Sequence, residues 1–419
     1  MIKPQTLKGF RDFLPETAIK RQFVIGKIKE VFERFGFDPL ETPALEYAST
    51  LKGKYGAEAD KLMYIFTDNG GREVGLRYDQ TVPTARVVAQ YPDIPKPLKR
   101  YQIQPVWRAE NTQKGRYREF LQCDADIFGP KSYTADAEII TVFAKCYEAL
   151  DIDYVININS REILFSMLKG IVKNDEQLWL SILQSIDKLD KKSEEDIREE
   201  LKGKNLTDEE INNIFLRINN IDLSQDEWLK YVKQICTTNF DINEKRINFS
   251  PTLVRGLDYY TGIIFEAVDK NNPSSSSLGG GGRYDKLIGQ FSGTDIPAVG
   301  FALGFDRIVE TIQKFDTKKT NSVVFILTIP EKEDSIGINS TLFNLATRLR
   351  KKAIPTELNL DTNASWDKQL KYADRKGIPY VIIQGPDEIK RNVVKLKTMQ
   401  TKEQEELTVD QVIEKLTNE

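Results

Sequence analysis

The sequence predicts an α+β body followed by a small α/β domain. Three observations lead there. Over the first 320 residues, long and short strand-like runs read as a mainly antiparallel sheet flanked by helices. From about residue 162 to 240 this pattern gives way to a charged, helix-prone insertion with no strand signal. After Asn321 strands alternate with helical segments, which argues for a mostly parallel sheet. The expected division is therefore 1–320, with the insertion at about 162–240, and 321–419.

The elements follow in order. From Pro15 to Phe35 the apolar residues Ile19, Phe23, Ile28, Val31, Phe32 and Phe35 recur at helical spacing, and Gly36 closes the helix. "FDPLETPALE" is extended. "MYIFTD" and "REVGLRYD" read as two strands around Asn69-Gly70-Gly71, a hairpin turn signal. "TVPTARVVAQY" reads as helical after its Pro. "LKRYQIQPVWRAE" and "GRYREFLQCDADIFG" read as long strands joined by a polar loop, "DAEIITVFAKCYEAL" as a helix and "DYVININS" as a strand. Beyond the insertion, "NFSPTLVRGLDYYTGIIFEAV" returns to strands, with Arg255, Asp258, Tyr259 and Tyr260 at the edge of a sheet. "NNPSSSSLGGGGRYDKL" has two readings, a flexible linker or glycines that let a backbone approach a ligand. "VGFALGFDRIVETIQKF" is a strand entering a helix. The last hundred residues read as "VVFILTI", "IPTELNL", "PYVIIQG" and "NVVKLKTM" strands between helices, one of which ends at Gly377.

Composition narrows the function. Of 419 residues, 40% are apolar and 29% charged, which describes a soluble globular chain of two or three domains. No apolar run reaches membrane-spanning length, and the N-terminus does not read as a secretory signal, so no membrane partner is expected. Cys123, Cys146 and Cys236 are far apart, against a zinc site or disulfide framework and in keeping with a cytoplasmic location. Net charge is −3, yet Lys96 to Arg118 carries seven Lys/Arg and one acid, Glu110. That run reads equally as a solvated face or as a site for a polyanion such as a nucleotide or an RNA end. Histidine is absent, so the commonest general base and metal ligand are missing.

Four segments stand out by order and spacing: "LRYDQTVPTAR", "VWRAENTQKGRYREFLQCDADIFG", "LVRGLDYYTG" and "GFALGFDRIV". Together they resemble the class II aminoacyl-tRNA synthetases, and specifically the histidyl-tRNA synthetase family. "KGFRDFLP" resembles that family's N-terminal segment. The helix ending in "FGFDPLETPALE" resembles motif 1, which in the family builds a homodimer interface. "VWRAE…GRYREF" resembles motif 2 and "GFALGFDRIV" motif 3, while "LVRGLDYYTG" and "LGGGGRYDKL" resemble the two histidine-specific segments. The resemblance implies a catalytic domain of the class II type, a C-terminal anticodon-binding domain, and L-histidine, ATP and tRNA-His as ligands. Mg2+ would come with the ATP, without a dedicated protein metal site.

By the same motif matches, Arg108 would grip the α-phosphate and Arg307 the γ-phosphate, with Glu110 and Arg116 completing the ATP site. Arg255 would be the cation at the reacting centre, where other class II enzymes place a metal ion. Asp79, Thr81 and Gln122 would hold the α-ammonium of histidine. Asp126 would accept the ring N–H, with Tyr260 at the other ring nitrogen and Tyr259 beside it. Gly280 to Gly282 would leave room for the flat ring. Gln113 and Arg118 would meet the acceptor end of tRNA. Such a site needs no nucleophilic side chain, because two anions are brought together by positioning and cations.

Taken without the resemblance, Asp126 and Tyr260 read first as an ordinary sheet-edge pair. A rival function is that of the non-catalytic paralogues that partner ATP phosphoribosyltransferase, which typically lose the histidine-motif arginine and the C-terminal domain. Another is prolyl or threonyl charging, against which "RGLDYYTG" argues. The chain after Asn321 carries fifteen Lys/Arg and fifteen Asp/Glu, so RNA reading there would rest on local contacts.

Overall fold

The structure is a computed structural model that describes residues 2–54, 60–112, 115–190, 192–255, 259–272, 277–312, 318–329, 336–361 and 363–417. The chain divides into two compact units, Met1–Asp12 with Val24–Lys314 and Phe13–Phe23 with Phe315–Glu419.

The strands of the first unit, in chain order, are β1 (Asp38–Pro39), β2 (Leu45–Tyr47), β3 (Ile65–Thr67), β4 (Glu73–Leu76), β5 (Leu98–Trp107) and β6 (Glu119–Phe128). They continue with β7 (Tyr154–Ser160), β8 (Ile247–Phe249), β9 (Ile263–Asp269), β10 (Gly279–Arg283) and β11 (Ala298–Gly304). Among the described residues, eight of them form one sheet in the order β1-β5-β6-β11-β10-β9-β7-β8. Pairing is antiparallel from β5 through to β7 and parallel only at the two edges, β1 with β5 and β7 with β8. The expected hairpin is present: β3 pairs antiparallel with β4, and Gly71 turns the chain at φ +77°.

Alternation along the strands gives the sheet two unlike faces. One is aromatic. Helix Tyr133–Glu148, capped by the Ser132 side chain on the Ala135 N–H, sets Phe143 against Phe265 and Phe301 at 5.3 and 4.8 Å. Phe32 of helix Pro15–Arg34 reaches Phe301 at 6.0 Å. The other face is polar and small. Gln122, Asp124 and Asp126 of β6 lie opposite Gln104, Gln102 and Arg100 of β5, and on their far side opposite Gly304, Ala302 and Gly300 of β11. Gly280 and Gly282 of β10 extend the same floor. Helix Thr81–Gln90 contributes buried Val82, Ala85 and Val88 to the core. It starts two residues before Pro83, whose missing N–H falls in the first turn, where no intrahelical partner is needed.

Two expectations need correction here. The described residues of "LVRGLDYYTG", 253–255 and 259–262, form no strand, and its Gly256, Leu257 and Asp258 lie outside the described residues. The Ser/Gly-rich stretch is not a linker where it is described. Gly279–Arg283 is an interior strand, because its neighbours' backbones and side chains occupy the space a Cβ would need.

The insertion holds helices Arg161–Leu168, Glu176–Ile186, Glu194–Lys202, Asp208–Asn220 and Glu227–Gln234. Reciprocal capping boxes, Ser193 with Asp196 and Thr207 with Glu210, set two of the starts. It is not merely a solvated appendage. Ile182, Leu183, Ile186, Ile197, Ile214 and Phe215 share one apolar core with Val82, Val254, Tyr284 and Leu287 of the main body. The charged residues that dominate its sequence cover the outside of that core.

In the second unit the strands are β12 (Val324–Ile326), β13 (Thr356–Leu358), β14 (Tyr380–Ile383), β15 (Val394–Thr398) and β16 (Gln404–Leu407). Their order is β13-β12-β14-β15-β16. The sheet is mixed, not mostly parallel: β13, β12 and β14 are parallel, while β14–β15 and β15–β16 are antiparallel. Only the one-turn helix Pro386–Lys390 separates β14 from β15, and a tight hairpin separates β15 from β16, too little chain for parallel crossovers. β16 escaped the sequence reading because "QEEL" is an exposed edge strand without an apolar face. Val324, Ile326, Leu342, Leu349, Ile382, Leu396 and Val412 form the core. Helix Trp366–Lys376 ends at Gly377, φ +76°, as its sequence predicts. Among the described residues, no helix is long and apolar enough to cross a membrane.

Candidate active site

A cavity of about 940 Å³ opens over the polar face of the large sheet. Asp79, Thr81, Arg108, Glu110, Arg116, Gln122, Asp126, Arg255, Tyr259, Tyr260 and Arg307 all line it. They come from six places in the chain, so the fold alone gathers them. Arg118 does not line it. Its Nε donates to the Glu110 carbonyl at 3.2 Å and its backbone N–H to the Gly9 carbonyl at 2.9 Å, so it ties the loop to the N-terminal segment. Gln113 lies outside the described residues.

Arg108, Arg116 and Arg307 sit close to strand ends. Arg108 follows β5; its Nε donates to the Tyr78 carbonyl at 3.1 Å and its guanidinium covers the Tyr78 ring at 4.3 Å. Arg307 is in the first turn of helix Phe305–Thr311, and its Nη1 donates to the Ser277 carbonyl at 2.6 Å. Arg116 pairs with Glu110 at 2.7 Å. Arg11 pairs with Asp306 at 2.9 Å and lies 3.2 Å from the centre of the Tyr117 ring. The N-terminal segment thus supports the loop after β5, a role its sequence did not disclose.

Arg255 is the most constrained of these cations. It has φ +61°, a region that non-glycine residues rarely enter. Its Nη1 meets Glu266 of β9 at 2.7 Å, its N–H donates to Asp187 at 3.3 Å, and its carbonyl accepts from Arg161 Nη2 at 3.2 Å. Burial works to lower its pKa, but Glu266, Tyr260 and Asp187 outweigh it, so the group is held as a cation. Asp187 and the pocket-lining Gln184 belong to the insertion, which therefore contributes to the site. Nothing in the charged sequence around Asp187 marks it out.

The glycines clear space for side chains, not in the first place for a ligand. A Cβ on Gly280 would stand 2.7 Å from Arg255 Nη1, one on Gly282 2.8 Å from the Tyr260 ring, and one on Gly281 2.0 Å from the Gly300 carbonyl. Of these three only Gly280 lines the cavity.

Elsewhere in the cavity, Asp79 accepts the Val82 N–H at 3.1 Å, at the start of helix Thr81–Gln90. Gln122 Oε1 is buried without a hydrogen-bond partner among the described residues, which suits an incoming donor. Gln80 Nε2 bridges the Gln104 and Gln122 carbonyls at 2.7 and 3.2 Å. Buried Arg77 joins the Thr42 and Pro105 carbonyls at 2.6 and 2.9 Å, so motif 1 braces the segment that carries Asp79. The Tyr259 and Tyr260 rings are tilted against each other with centroids 4.9 Å apart, and burial pushes both phenols up. Asp126 is buried, accepts the Tyr284 hydroxyl and pairs with Arg100 at 2.5 Å. Burial raises its pKa, and Arg100 and Tyr284 act against that rise. Arg100, Asp124 and Tyr284 were not singled out from the sequence. The i, i+2 spacing of Asp124 and Asp126 in a strand was the available signal.

Comparisons agree with the geometry. The family description "Histidyl-tRNA synthetase" matches residues 9–308, and "Anticodon binding domain" matches residues 323–419. A curated histidine–tRNA ligase of Cytophaga hutchinsonii is 38% identical, over 99% of this chain and 100% of that one. One from Christiangramia forsetii is 36% identical over 97% of each. The crystal structure of histidyl-tRNA synthetase from Nostoc sp. PCC 7120 superposes with a TM-score of 0.84 at 28% identity, covering all of both chains. With one family matched over most of its length and curated relatives aligned almost end to end, the chain belongs to the histidyl-tRNA synthetase family.

Proposed function

We infer that the protein is a histidine–tRNA ligase, which activates L-histidine with ATP and transfers it to the 3′ end of tRNA-His. The observation that carries this is the near end-to-end similarity to curated histidine–tRNA ligases, met by a pocket that gathers Arg108, Arg255 and Arg307 with Asp126 and Tyr260. The regulatory-paralogue reading expects the histidine-motif arginine and the C-terminal domain to be lost. Arg255 is present, and the anticodon-binding match runs over residues 323–419.

The proposed division of labour follows the chemistry. The histidine carboxylate attacks the α-phosphorus, forming an O–P bond as pyrophosphate leaves with the electron pair of the broken P–O bond. Arg108 neutralises the α-phosphate, Arg307 the γ-phosphate, and Arg255 the negative charge shared by carboxylate and phosphorus. Guanidinium suits each task because it stays charged and presents forked donors. Glu110 and Arg116 hold the nucleoside end. Asp79, Thr81 and Gln122 take the α-ammonium; Asp126 and Tyr260 take the ring nitrogens, with Tyr259 packed behind. Each ring nitrogen then has a partner, and an apolar isostere would leave buried polar groups unpaired. The terminal tRNA hydroxyl next attacks the acyl carbon and AMP departs. Gln113 is proposed to meet the acceptor end, with Arg118 supporting the same loop.

Mg2+ fits as an ion brought by the nucleotide, where it would offset charge on the departing pyrophosphate. Exposed Leu45, Tyr47 and Phe66 on the small β2-β4-β3 sheet support a homodimer contact. The three cysteines are buried and far apart in the chain, which suits a reducing cytoplasm.

The test is amino-acid-dependent exchange of pyrophosphate into ATP, run with each amino acid in turn. Histidine alone should support exchange, and Arg255→Ala should reduce it by at least about a hundredfold. A folded sample that exchanges with no amino acid would overturn the ligase reading.

A further inference from the structure

We propose that Arg100, which does not line the pocket, is a positioning residue for histidine selection, and that it acts by holding the Asp126 carboxylate in place and in its ionised form. This rests on the reading of Asp126 as the ring partner.

Asp126 has to do something costly. It is 2% exposed, and to accept an imidazole N–H it must be a carboxylate in a site nearly without water. A carboxylate there survives only with charge and donors aimed at it. Two meet it, from two different elements. From β5, its register partner Arg100 brings a charge, with Nη2 standing 2.5 Å from Oδ2 as an ion pair without hydrogen-bond alignment and side chains 1% and 3% exposed. From the chain just after β10, the Tyr284 hydroxyl donates to Oδ1. From β11, Gly300 offers only backbone; a Cβ there would fall 1.7 Å from Oδ1. The carboxylate is thus held at both oxygens, by Arg100 and by Tyr284, while Asp126 still lines the cavity.

The remaining charged neighbours leave Arg100 committed to this one partner. Asp124, two residues earlier on the same face, is 1% exposed, and neither oxygen has a hydrogen-bond partner among the described residues. Burial pushes its carboxyl well up, which favours the neutral acid despite the nearby Arg100. Tyr260, whose own titration feels Asp126, is pushed up by burial and stays a neutral phenol. Among the described residues, Arg100 is therefore paired with Asp126, while the Asp124 oxygens are without a hydrogen-bond partner. For Asp126 itself, burial raises the pKa while Arg100 and then Tyr284 oppose it. Removing either the Arg100 charge or the Tyr284 donor moves its protonation upward, toward the pH at which the enzyme must bind a ring N–H.

A purely structural ion pair would change stability and leave the pH dependence of histidine use alone. The two can be separated. Pyrophosphate exchange with the full chain is measured from pH 5.5 to 9 for wild type, Arg100→Met, Arg100→Lys and Tyr284→Phe, with thermal melting of each. Titration of free histidine enters every profile equally, so differences belong to the protein. Tyr284→Phe removes one oxygen atom only and serves if Arg100→Met does not fold. The expected result at pH 7 is a KM for histidine raised about a hundredfold in Arg100→Met and about tenfold in Tyr284→Phe, with KM for ATP within about twofold. In both, kcat/KM for histidine should recover as pH rises, and Arg100→Lys should restore most of the loss. Folded Arg100→Met or Tyr284→Phe with a wild-type pH profile overturns the proposal. Asp126→Asn separates it from the reading beneath: if that change leaves KM for histidine unaltered, it is the ring-partner role of Asp126 that fails.

Discussion

The backbone N–H of Arg255 points at the Asp187 carboxylate, 3.3 Å away, and so joins this pocket arginine to the end of an insertion helix. Arg255 needs such a partner because its left-handed backbone costs on the order of 1–3 kcal/mol. Asp187→Ala should lower the histidine-dependent exchange rate about tenfold, with little change in melting temperature. Exchange at the wild-type rate would show that Glu266 and Arg161 suffice to hold Arg255.

Two glycines of the floor should fail in different ways. Gly300→Ala drives a methyl group into Asp126 and should raise KM for histidine at least about tenfold. Gly280→Ala crowds Arg255 and the Phe265 carbonyl, so it should lower kcat by about tenfold or more. Steady-state exchange kinetics separate the two, and equal effects on KM and kcat in both variants would count against distinct roles.

The insertion carries an acid-sensitive contact. Lys188, with Ser185 and Lys192, draws Glu200 down to about 2 from a model-compound value of 4.5. A carboxylate depressed on folding contributes stability above its unfolded pKa and loses it as pH falls through the folded one. Wild type should therefore lose stability between about pH 4.5 and 2, and Glu200→Gln should flatten that loss by about 2 °C. Parallel melting curves for both proteins across this window would refute it.

A histidine-charging chain with no histidine places no direct demand on its own product. Its synthesis should fall less than that of a histidine-containing protein when cells are starved of histidine. Pulse labelling after starvation measures this, and an equal fall in both would remove the idea.

Local patterns carried most of the architecture. Apolar periodicity located helix Pro15–Arg34, strands β5 and β6 and helix Tyr133–Glu148 within a few residues. Turn chemistry located the β3–β4 hairpin at Asn69-Gly70-Gly71. Where connections decided the outcome, periodicity was silent: β14, β15 and β16 are antiparallel because their links are short, not because their strands look different.

The sequence by itself determined the family, the order of the motifs and the residue types proposed to meet phosphate and imidazole, since these depend on side-chain chemistry at set spacings. Only the tertiary structure decided which groups stand behind them. Arg100 reaches Asp126 through strand register, Tyr284 reaches it from beyond a glycine strand, and Asp187 reaches Arg255 from 68 residues away. The physical reason is that a buried charge or a strained backbone is stabilised by whatever lies beside it in space, and separation along the chain does not encode that.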